Sequence, residues 1–194
     1  MPASPLVGGR LAIDFANTTS AGRYLSWPEF VHFLDVAHTV SPEHSAQLLT
    51  LPLSEPQAVD RVLLKVLRLR ESLRAIFGAM VAGEEIPSAW TEPLNEILRM
   101  TEGHDELVQA HGTWRMEFIA REGGLDWLLA AIARSAAEII VEGAPAPLRR
   151  CANPNCGLFF YDASRTRRRR WCSMTLCGNR HKVAAFARRR RPRA

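Results

Sequence analysis

Hydrophobic residues recur at helical spacing through most of the first 143 positions. The longest such stretch runs from 55 to 82, where Val59, Val62, Val66 and Leu73 lie on one face and charged residues on the other. Ser54-Glu55-Pro56-Gln57 has the spacing of a capping box at its start. Shorter helices are predicted from capping serines or from a 3.6-residue period, at Ser26, at Ser41, at Ser88 and over 125–141. Their predicted inward positions include Phe30, Phe33, Leu34, Ala46, Leu48, Leu49, Trp90, Leu94, Ile97 and Leu98.

Two stretches alternate with a period of two instead. Leu11, Ile13 and Phe15 alternate with small or polar residues, which predicts a strand with one buried face. Residues 107–109 and the alternating run 113–118 predict a β-hairpin, which we expect to pair with that first strand. The first part of the chain is therefore predicted to be α+β, a mostly helical domain with a small antiparallel sheet.

A Gly- and Pro-containing stretch at 143–147 is typical of a linker and divides the chain into predicted domains of residues 1–143 and 148–194. Residues 149–194 hold thirteen arginines and one lysine against one acid, so they carry +13. Because the whole chain carries +5, the preceding residues carry −8. Such a division is typical of a basic arm for a polyanion attached to a domain with another task.

The start of the sequence lacks a basic segment followed by an apolar one, and no apolar run reaches the ~18 residues of a membrane span. We therefore expect a cytoplasmic protein without membrane contact, associated with the nucleoid if it binds DNA. Structural disulfides are rare in the cytoplasm, so clustered cysteines there favour a metal.

All four cysteines of the protein lie in the basic segment, as two C-x4-C pairs: Cys151, Cys156, Cys172 and Cys177. Four thiolates are a preferred structural set for one Zn²⁺, with disulfides or an iron–sulfur cluster as the alternatives. A first knuckle, a hairpin of 158–161 with 167–171, and a helix after the last cysteine predict a treble-clef-like finger. That helix is predicted to bury Val183, Phe186 and Ala187.

The basic residues of the finger exceed what one zinc site needs. Runs of this kind most often contact nucleic-acid phosphates. The candidate contacts are Arg165, Arg167, Arg168, Arg169, Arg170, Lys182, Arg188, Arg189, Arg190 and Arg191. Arg180, three residues after the last cysteine, is instead expected to donate to a ligand sulfur.

Arg10, Asp14 and Asn17 are the polar candidates of the first part. Asp14 and Asn17 fit either turn capping or contact with a ligand. No Ser/His/Asp, Cys/His or paired-carboxylate set stands out, so we expect no enzymatic activity. The acidic domain is instead expected to sense a small-molecule effector or to form a homodimer.

The finger resembles the C-G-N-R zinc-finger family, named for a motif present here as Cys177-Gly178-Asn179-Arg180. The shared features also include the C-x4-C knuckle, Phe160, Asp162, Ser164 and Arg165, the block Arg169–Met174, and Lys182. His181 departs from the small residue typical of its position. Residues 6–18 resemble the opening of the domain that usually precedes this finger, described as a stress-induced transcription regulator. The resemblance implies that the four cysteines bind zinc and that the protein is a bacterial transcriptional regulator.

The leading hypothesis is therefore a zinc-binding regulator whose finger binds DNA. An RNA-binding protein is the alternative, because one arginine-rich ribbon can bind either polyanion. An enzyme in the first domain is a third class, supported only by the candidate pocket residues.

Overall fold

The computed structural model describes residues 6–18, 25–100, 102–110, 113–120, 124–143 and 147–183. Within these residues the helices are α1 (Leu11–Ala16), α2 (Trp27–Val36), α3 (Pro42–Ser54), α4 (Pro56–Ala82), α5 (Ser88–Met100) and α6 (Ala130–Glu142). The strands are β1 (Gly103–Ala110), β2 (Thr113–Ala120), β3 (Leu148–Arg150) and β4 (Phe159–Tyr161). The predicted α+β class with a mostly helical first part is confirmed.

The helix starts follow their capping residues. At the start of α2 the Glu29 carboxylate accepts a hydrogen bond from the Ser26 backbone N–H at 2.8 Å, and Ser41 accepts one from the His44 N–H at 3.1 Å at the start of α3. The capping box predicted at Ser54 is wrong. Ser54 is the last residue of α3, and Glu55 precedes α4 without a side-chain capping bond. The predicted helix over 125–141 begins as a 3-10 turn at Asp126–Leu129 and continues as α6.

The strand predicted over residues 11–15 is wrong, because this segment is the short helix α1. The alternation of large and small residues does not divide a buried from an exposed face. Residues 12–16 are all buried, since α1 packs against α4, α6 and β4. Ala12 and Ala16 are one turn apart, and their small side chains suit close packing of neighbouring elements.

The hairpin predicted from the second alternating stretch is confirmed, with longer strands. β1 and β2 pair antiparallel over their full length, from Gly103 opposite Ala120 to Ala110 opposite Thr113. The expected pairing with residues 11–15 is wrong, because β1 and β2 form a two-stranded sheet of their own within the described part of the chain.

The main core lies between α1, α2, α4, α5 and α6. Its largest fully buried side chains are Phe15, Phe30, Phe77, Ile13, Leu34, Leu69, Leu73, Ile76, Ile97, Leu129 and Ile132. Several predicted inward positions are exposed instead: Ala46, Leu49, Trp90 and Leu98. The apolar stripes of α3 and α5 are thus narrower than the sequence indicated.

The second sheet joins the two parts of the chain. β3 pairs antiparallel with β4, so that Leu148 lies opposite Tyr161 and Arg150 opposite Phe159. The hairpin predicted between 158–161 and 167–171 is therefore wrong, since residues 167–171 form no strand. These residues form a loop between the two cysteine pairs. The Arg170 carbonyl in this loop accepts a hydrogen bond from the Ala152 N–H at 2.9 Å.

Phe159 belongs to the finger strand but lies in the core of the helical part. Its side chain is 3% exposed, and its ring centroid lies 6.1 Å from that of Phe77 on α4, edge to face. Leu148 on β3 is buried in the same core. The helical part therefore completes its core with residues that follow the linker.

Phe159→Ala should destabilise the helical part although it alters the finger strand. Removing a fully packed phenylalanine costs about 3–5 kcal/mol through lost burial and a residual cavity. We expect the free energy of unfolding, measured from urea denaturation followed by helical circular dichroism, to fall by this amount. Leu64→Ala on α4 is the control, since Leu64 is 62% exposed. Equal effects of the two substitutions would contradict the shared core.

Candidate zinc centre and its junction with the helical domain

The four cysteine sulfurs form one compact cluster. All four lie within 4.8 Å of one another, and three of the four cysteines are buried. The Sγ atoms of Cys156 and Cys172 are 3.6 Å apart, and those of Cys172 and Cys177 are 3.7 Å apart. All four cysteines are free thiols, so the structure does not contain the disulfides that were the alternative to a metal site.

Local backbone structure turns each sulfur inward. The knuckle closes with a hydrogen bond from the Cys156 N–H to the Asn153 carbonyl at 2.9 Å, while the Cys151 N–H donates to the Leu158 carbonyl at 2.8 Å. The second pair is held by a π-helical turn, Met174–Gly178, in which the Cys177 N–H donates to the Ser173 carbonyl at 3.0 Å. The chain is helical from 179 to 183, as predicted for residues after the last cysteine.

The cluster fits a tetrahedral zinc ion. With Zn–S bonds of about 2.3 Å, the sulfurs of a tetrahedral four-cysteine site lie about 3.8 Å apart. The observed separations of 3.6 and 3.7 Å agree with that edge. The four cysteines therefore make a site for one structural zinc, and bound zinc would cross-link the knuckle to the π-helical turn.

The thiols differ in acidity. Burial raises the pKa of Cys156 to about 11 and also raises the pKa of Cys172. Burial opposes ionisation of Cys177 as well, but the hydrogen bond from Asn153 and those of the neighbouring thiols lower the pKa of Cys177. Because zinc binds thiolates, the metal must displace protons, and its affinity falls with falling pH.

Two described hydrogen bonds reach ligand sulfurs, one from the Asn153 side chain and one from the Cys172 backbone N–H to the Cys151 sulfur at 3.5 Å. The Asn153 side-chain amide lies 3.4 Å from the Cys177 sulfur. Arg180 is exposed, and within the described residues it makes no hydrogen bond to a cysteine. The glycine of the motif leaves room for its neighbours, because a Cβ at Gly178 would lie 3.3 Å from the ring of Trp171 and would displace the flexible end of Met174.

Asp162 organises the loop between the two cysteine pairs. Its side chain is fully buried and accepts hydrogen bonds from the Ser164 hydroxyl at 2.6 Å and the Arg169 N–H at 2.9 Å. Burial acts to raise the pKa of Asp162, but these hydrogen bonds and the charge of Arg149 lower it overall. This role of Asp162 was not predicted from the sequence. The available signal was Asp followed two residues later by Ser, which is typical of a side-chain-closed turn.

Arg169, predicted to contact nucleic acid, is engaged with the finger itself. Its guanidinium lies 4.5 Å from the ring centroid of Phe160, and it donates to the Trp171 carbonyl at 2.8 Å and to the Cys172 carbonyl. Arg149 likewise donates to the Arg167 carbonyl at 2.7 Å. Part of the basic run therefore holds the loop in place.

The other predicted contact residues that the structure describes are on the surface, as Arg169 is. The side chains of Arg165, Arg167, Arg168, Arg170 and Lys182 are exposed. Val183, predicted to be inward, is 69% exposed. Arg188, Arg189, Arg190 and Arg191, together with Phe186 and Ala187, lie outside the described residues.

Asn17 binds the backbone of the finger strand. Its amide nitrogen donates to the Phe159 carbonyl at 2.7 Å, and its amide oxygen accepts from the Phe159 N–H at 2.9 Å. The side chain is 1% exposed. The Asn17 side chain thus bonds to the edge of β4 through both its amide nitrogen and its amide oxygen, in the way that a neighbouring strand would.

Asp14 fixes the segment before α1. Its carboxylate accepts a hydrogen bond from the Gly8 N–H at 2.7 Å, and the Gly8 carbonyl in turn accepts from the Tyr161 N–H at 2.7 Å. Burial raises the pKa of Asp14, although backbone donors from 7–9 oppose the shift. Gly8 is required by close packing, because a Cβ there would lie 2.7 Å from Ile13 Cγ2.

Arg10 contacts the same strand from outside. Its guanidinium lies 4.7 Å from the ring centroid of Tyr161 and forms ion pairs with Glu142 at 2.8 Å and Glu138 at 3.7 Å. The hydrogen bond with Tyr161 raises the pKa of Arg10, and the two glutamates act in the same direction. The structure thus gathers Arg10, Asp14 and Asn17 around β4.

Together these features define a zinc-binding protein with a four-cysteine finger that is fastened to a helical domain. Residues 9–143 match the family described as "Putative stress-induced transcription regulator", and residues 148–190 match the CGNR zinc finger. The chain belongs to the former family and carries the latter finger at its C-terminal end. A comparison with curated proteins found no match. Among the described residues, no helix combines the length and apolarity needed to cross a membrane.

Zinc removal should unfold the finger loops while the helices remain. Besides its cysteines, the small cluster around the metal site contains one fully buried side chain, Phe160. Structural zinc contributes about 10–16 kcal/mol in small fingers, so chelation leaves residues 151–158 and 162–183 with little to hold them. We expect hydrogen exchange there to accelerate on chelation, while α4 and α6 stay protected. Unchanged exchange in a sample shown to be metal-free would contradict the site.

Asn17→Ala should weaken the junction without touching a zinc ligand. It leaves two buried backbone groups of Phe159 without partners, each costing about 1–3 kcal/mol. We expect a lower free energy of unfolding and faster hydrogen exchange at β4, with zinc content unchanged. The control is Thr50→Ala, because the Thr50 hydroxyl bonds only a carbonyl of its own helix at the surface. If hydrogen exchange at β4 were as slow in Asn17→Ala as in the parent protein, this role of Asn17 would be contradicted.

Proposed function

We propose that this zinc-binding regulator binds DNA through its finger. The observation that carries the proposal is the set of exposed cations around the zinc centre. Arg165, Arg168, Arg170 and Lys182 are exposed, and none forms an ion pair within the described part of the chain. Fixed, uncompensated cations on a zinc-stabilised scaffold are suited to the phosphates of a nucleic-acid backbone.

The aromatic residues favour a duplex over single-stranded RNA. Phe159 and Phe160 are buried, and Tyr161 is engaged by Arg10 and Glu142. Single-strand binders commonly offer exposed aromatic rings on which bases stack. Within the finger's described residues, Trp171 is half-buried and its ring lies 4.6 Å from that of His181. RNA remains the alternative partner, and competition between duplex DNA and structured RNA at equal salt separates the two.

The helical domain offers a place for an effector. A cavity of about 280 Å³ is lined by apolar residues of α1, β2 and α6 and by a few polar groups, including His38, Arg134, Ser135 and Glu138. An apolar pocket with few convergent polar groups is typical of small-molecule sites. We propose that it senses a small effector and has no catalytic role.

The same cavity borders the contacts that hold the finger. Leu11 of α1 lines it, and Glu138 forms the 3.7 Å ion pair with Arg10, which stacks on Tyr161 of β4. An effector that moved Glu138 would therefore alter a contact to the finger strand. Exposed Leu49 and Leu53 on α3 support homodimerisation as the other role proposed for this domain. We place the regulator in the bacterial cytoplasm, at the nucleoid, in a stress response.

The exposed and the engaged arginines should differ on substitution. If the finger neutralises about six phosphates, log Kobs falls with log[salt] with a slope of about −5. We expect the double variant Arg165→Gln, Arg168→Gln to bind every duplex more weakly and to reduce the slope by about 0.9 for each phosphate that is no longer neutralised. Its thermal midpoint should stay at the parental value.

Arg169→Gln is the matched variant. It removes the same charge but also the contacts to Phe160 and the loop carbonyls, so we expect a lower thermal midpoint. Fluorescence anisotropy over a salt series gives the binding, and differential scanning fluorimetry gives the stability. Parental duplex affinity of the double variant at low salt would refute the proposed contacts.

A further inference from the structure

Two arginines of the acidic helical part lie on the face of α4 that borders the finger. Arg70 and Arg74 lie one helical turn apart on α4, a spacing that places them on the same face. The Arg74 guanidinium lies 5.7 Å from the ring centroid of Phe159 and donates to the Ala16 carbonyl at 3.0 Å. This face of α4 therefore borders the strand that carries the finger.

The finger adds a third arginine at the same seam. Arg150 on β3 lies directly opposite Phe159 on β4, and directly opposed residues of an antiparallel pair project to the same face. The Phe159 side chain packs on Phe77 and Arg74 of α4. Arg150 is thereby directed toward α4, and its side chain is exposed and accessible from solvent.

No ion pair neutralises these three cations in the described part of the chain. Within the described residues, no carboxylate lies within ion-pair distance of Arg70, Arg74 or Arg150. The Nε of Arg70 is buried and has no hydrogen-bond partner. Burial and the neighbouring Arg74 lower the pKa of Arg70, and burial and the neighbouring Arg150 lower the pKa of Arg74. The charge of Glu71 offsets part of this cost at Arg70, and the Ala16 carbonyl and the Phe159 ring contact the Arg74 guanidinium. No ion pair in the described residues offsets the remainder.

We propose that Arg70, Arg74 and Arg150 form an oxyanion site that takes a phosphate group at the seam between α4 and the finger. Guanidinium groups match the phosphate oxygens with paired N–H donors, and an anion would relieve the repulsion of Arg74 with Arg70 and with Arg150. The phosphate is that of a nucleic-acid backbone or of a free phosphorylated molecule. A nucleic-acid phosphate at this site rests on the proposed function. It would extend the DNA-contacting surface of the finger onto the helical domain, whose net charge is −8.

The first test uses inorganic phosphate as the probe on the full, zinc-loaded chain. We expect phosphate to raise the thermal midpoint of the parent protein more than chloride does at equal ionic strength. That increment should disappear in Arg70→Gln and in Arg150→Gln. Arg61→Gln is the control, because Arg61 is an exposed arginine of α4 outside the cluster. General salt effects on stability act alike on all four proteins.

A second readout separates an anion site from a purely structural role of Arg70. Removing its charge relieves repulsion with Arg74, so in chloride the midpoint of Arg70→Gln should equal or exceed that of the parent. A lower midpoint in chloride, with the phosphate increment retained, would assign Arg70 a structural role and overturn the proposal. An equal phosphate increment in the parent, the two cluster variants and the control would also overturn it.

The second arm measures duplex DNA binding over a salt series. If the phosphate belongs to the nucleic acid, both cluster variants should bind several-fold more weakly and with a slope shallower by about 0.9 for each phosphate that is no longer neutralised. Loss of phosphate stabilisation with unchanged duplex binding identifies a free phosphorylated molecule as the ligand. Should the parent bind no duplex, the proposed function fails, while the phosphate arm still decides the site.

Discussion

The pairing of the Asn17 amide with the backbone of Phe159 determines how the two parts of the chain fit together. β4 has β3 on one edge and, on the other, the Asn17 side chain and the Gly8 carbonyl. Both edges of a three-residue strand are therefore occupied, although only one neighbour is a strand. This places Phe159 against Phe77, and it fixes the start of the chain that leads from β3 into Cys151.

The zinc centre could be predicted from sequence because its information is local: four cysteines in two pairs leave few arrangements for one ion. The helices with clear caps were also predictable. The error at α1 has a different cause, since a helix buried on all sides has no exposed face to give it a helical period, and its large and small residues happened to alternate. The position of β4 on the helical part depends on contacts between residues about 140 positions apart along the chain, such as Asn17 and Phe159. No local pattern contains that information.

The basic segment shows why a run of like charges cannot be assigned to one role from sequence. Neighbouring arginines of the same run have opposite surroundings. Arg169 packs on Phe160 and donates to loop carbonyls, while Arg168 is exposed to solvent. The difference arises from the buried carboxylate of Asp162, which binds the Arg169 N–H and sets the path of the loop. A single acid among thirteen arginines thus decides which of its neighbours contacts the finger and which does not.

The position of Phe159 also bears on how such a protein can evolve. The segment that matches the regulator family does not contain all of its own core, because Phe159 and Leu148 come from beyond the linker. A gene rearrangement that joined this helical part to an unrelated finger would leave a gap beside Phe77. The reverse exchange would expose Phe159 and Leu148 to water. We therefore expect the two segments to be inherited together, although the proline-containing linker between them is typical of independent domains.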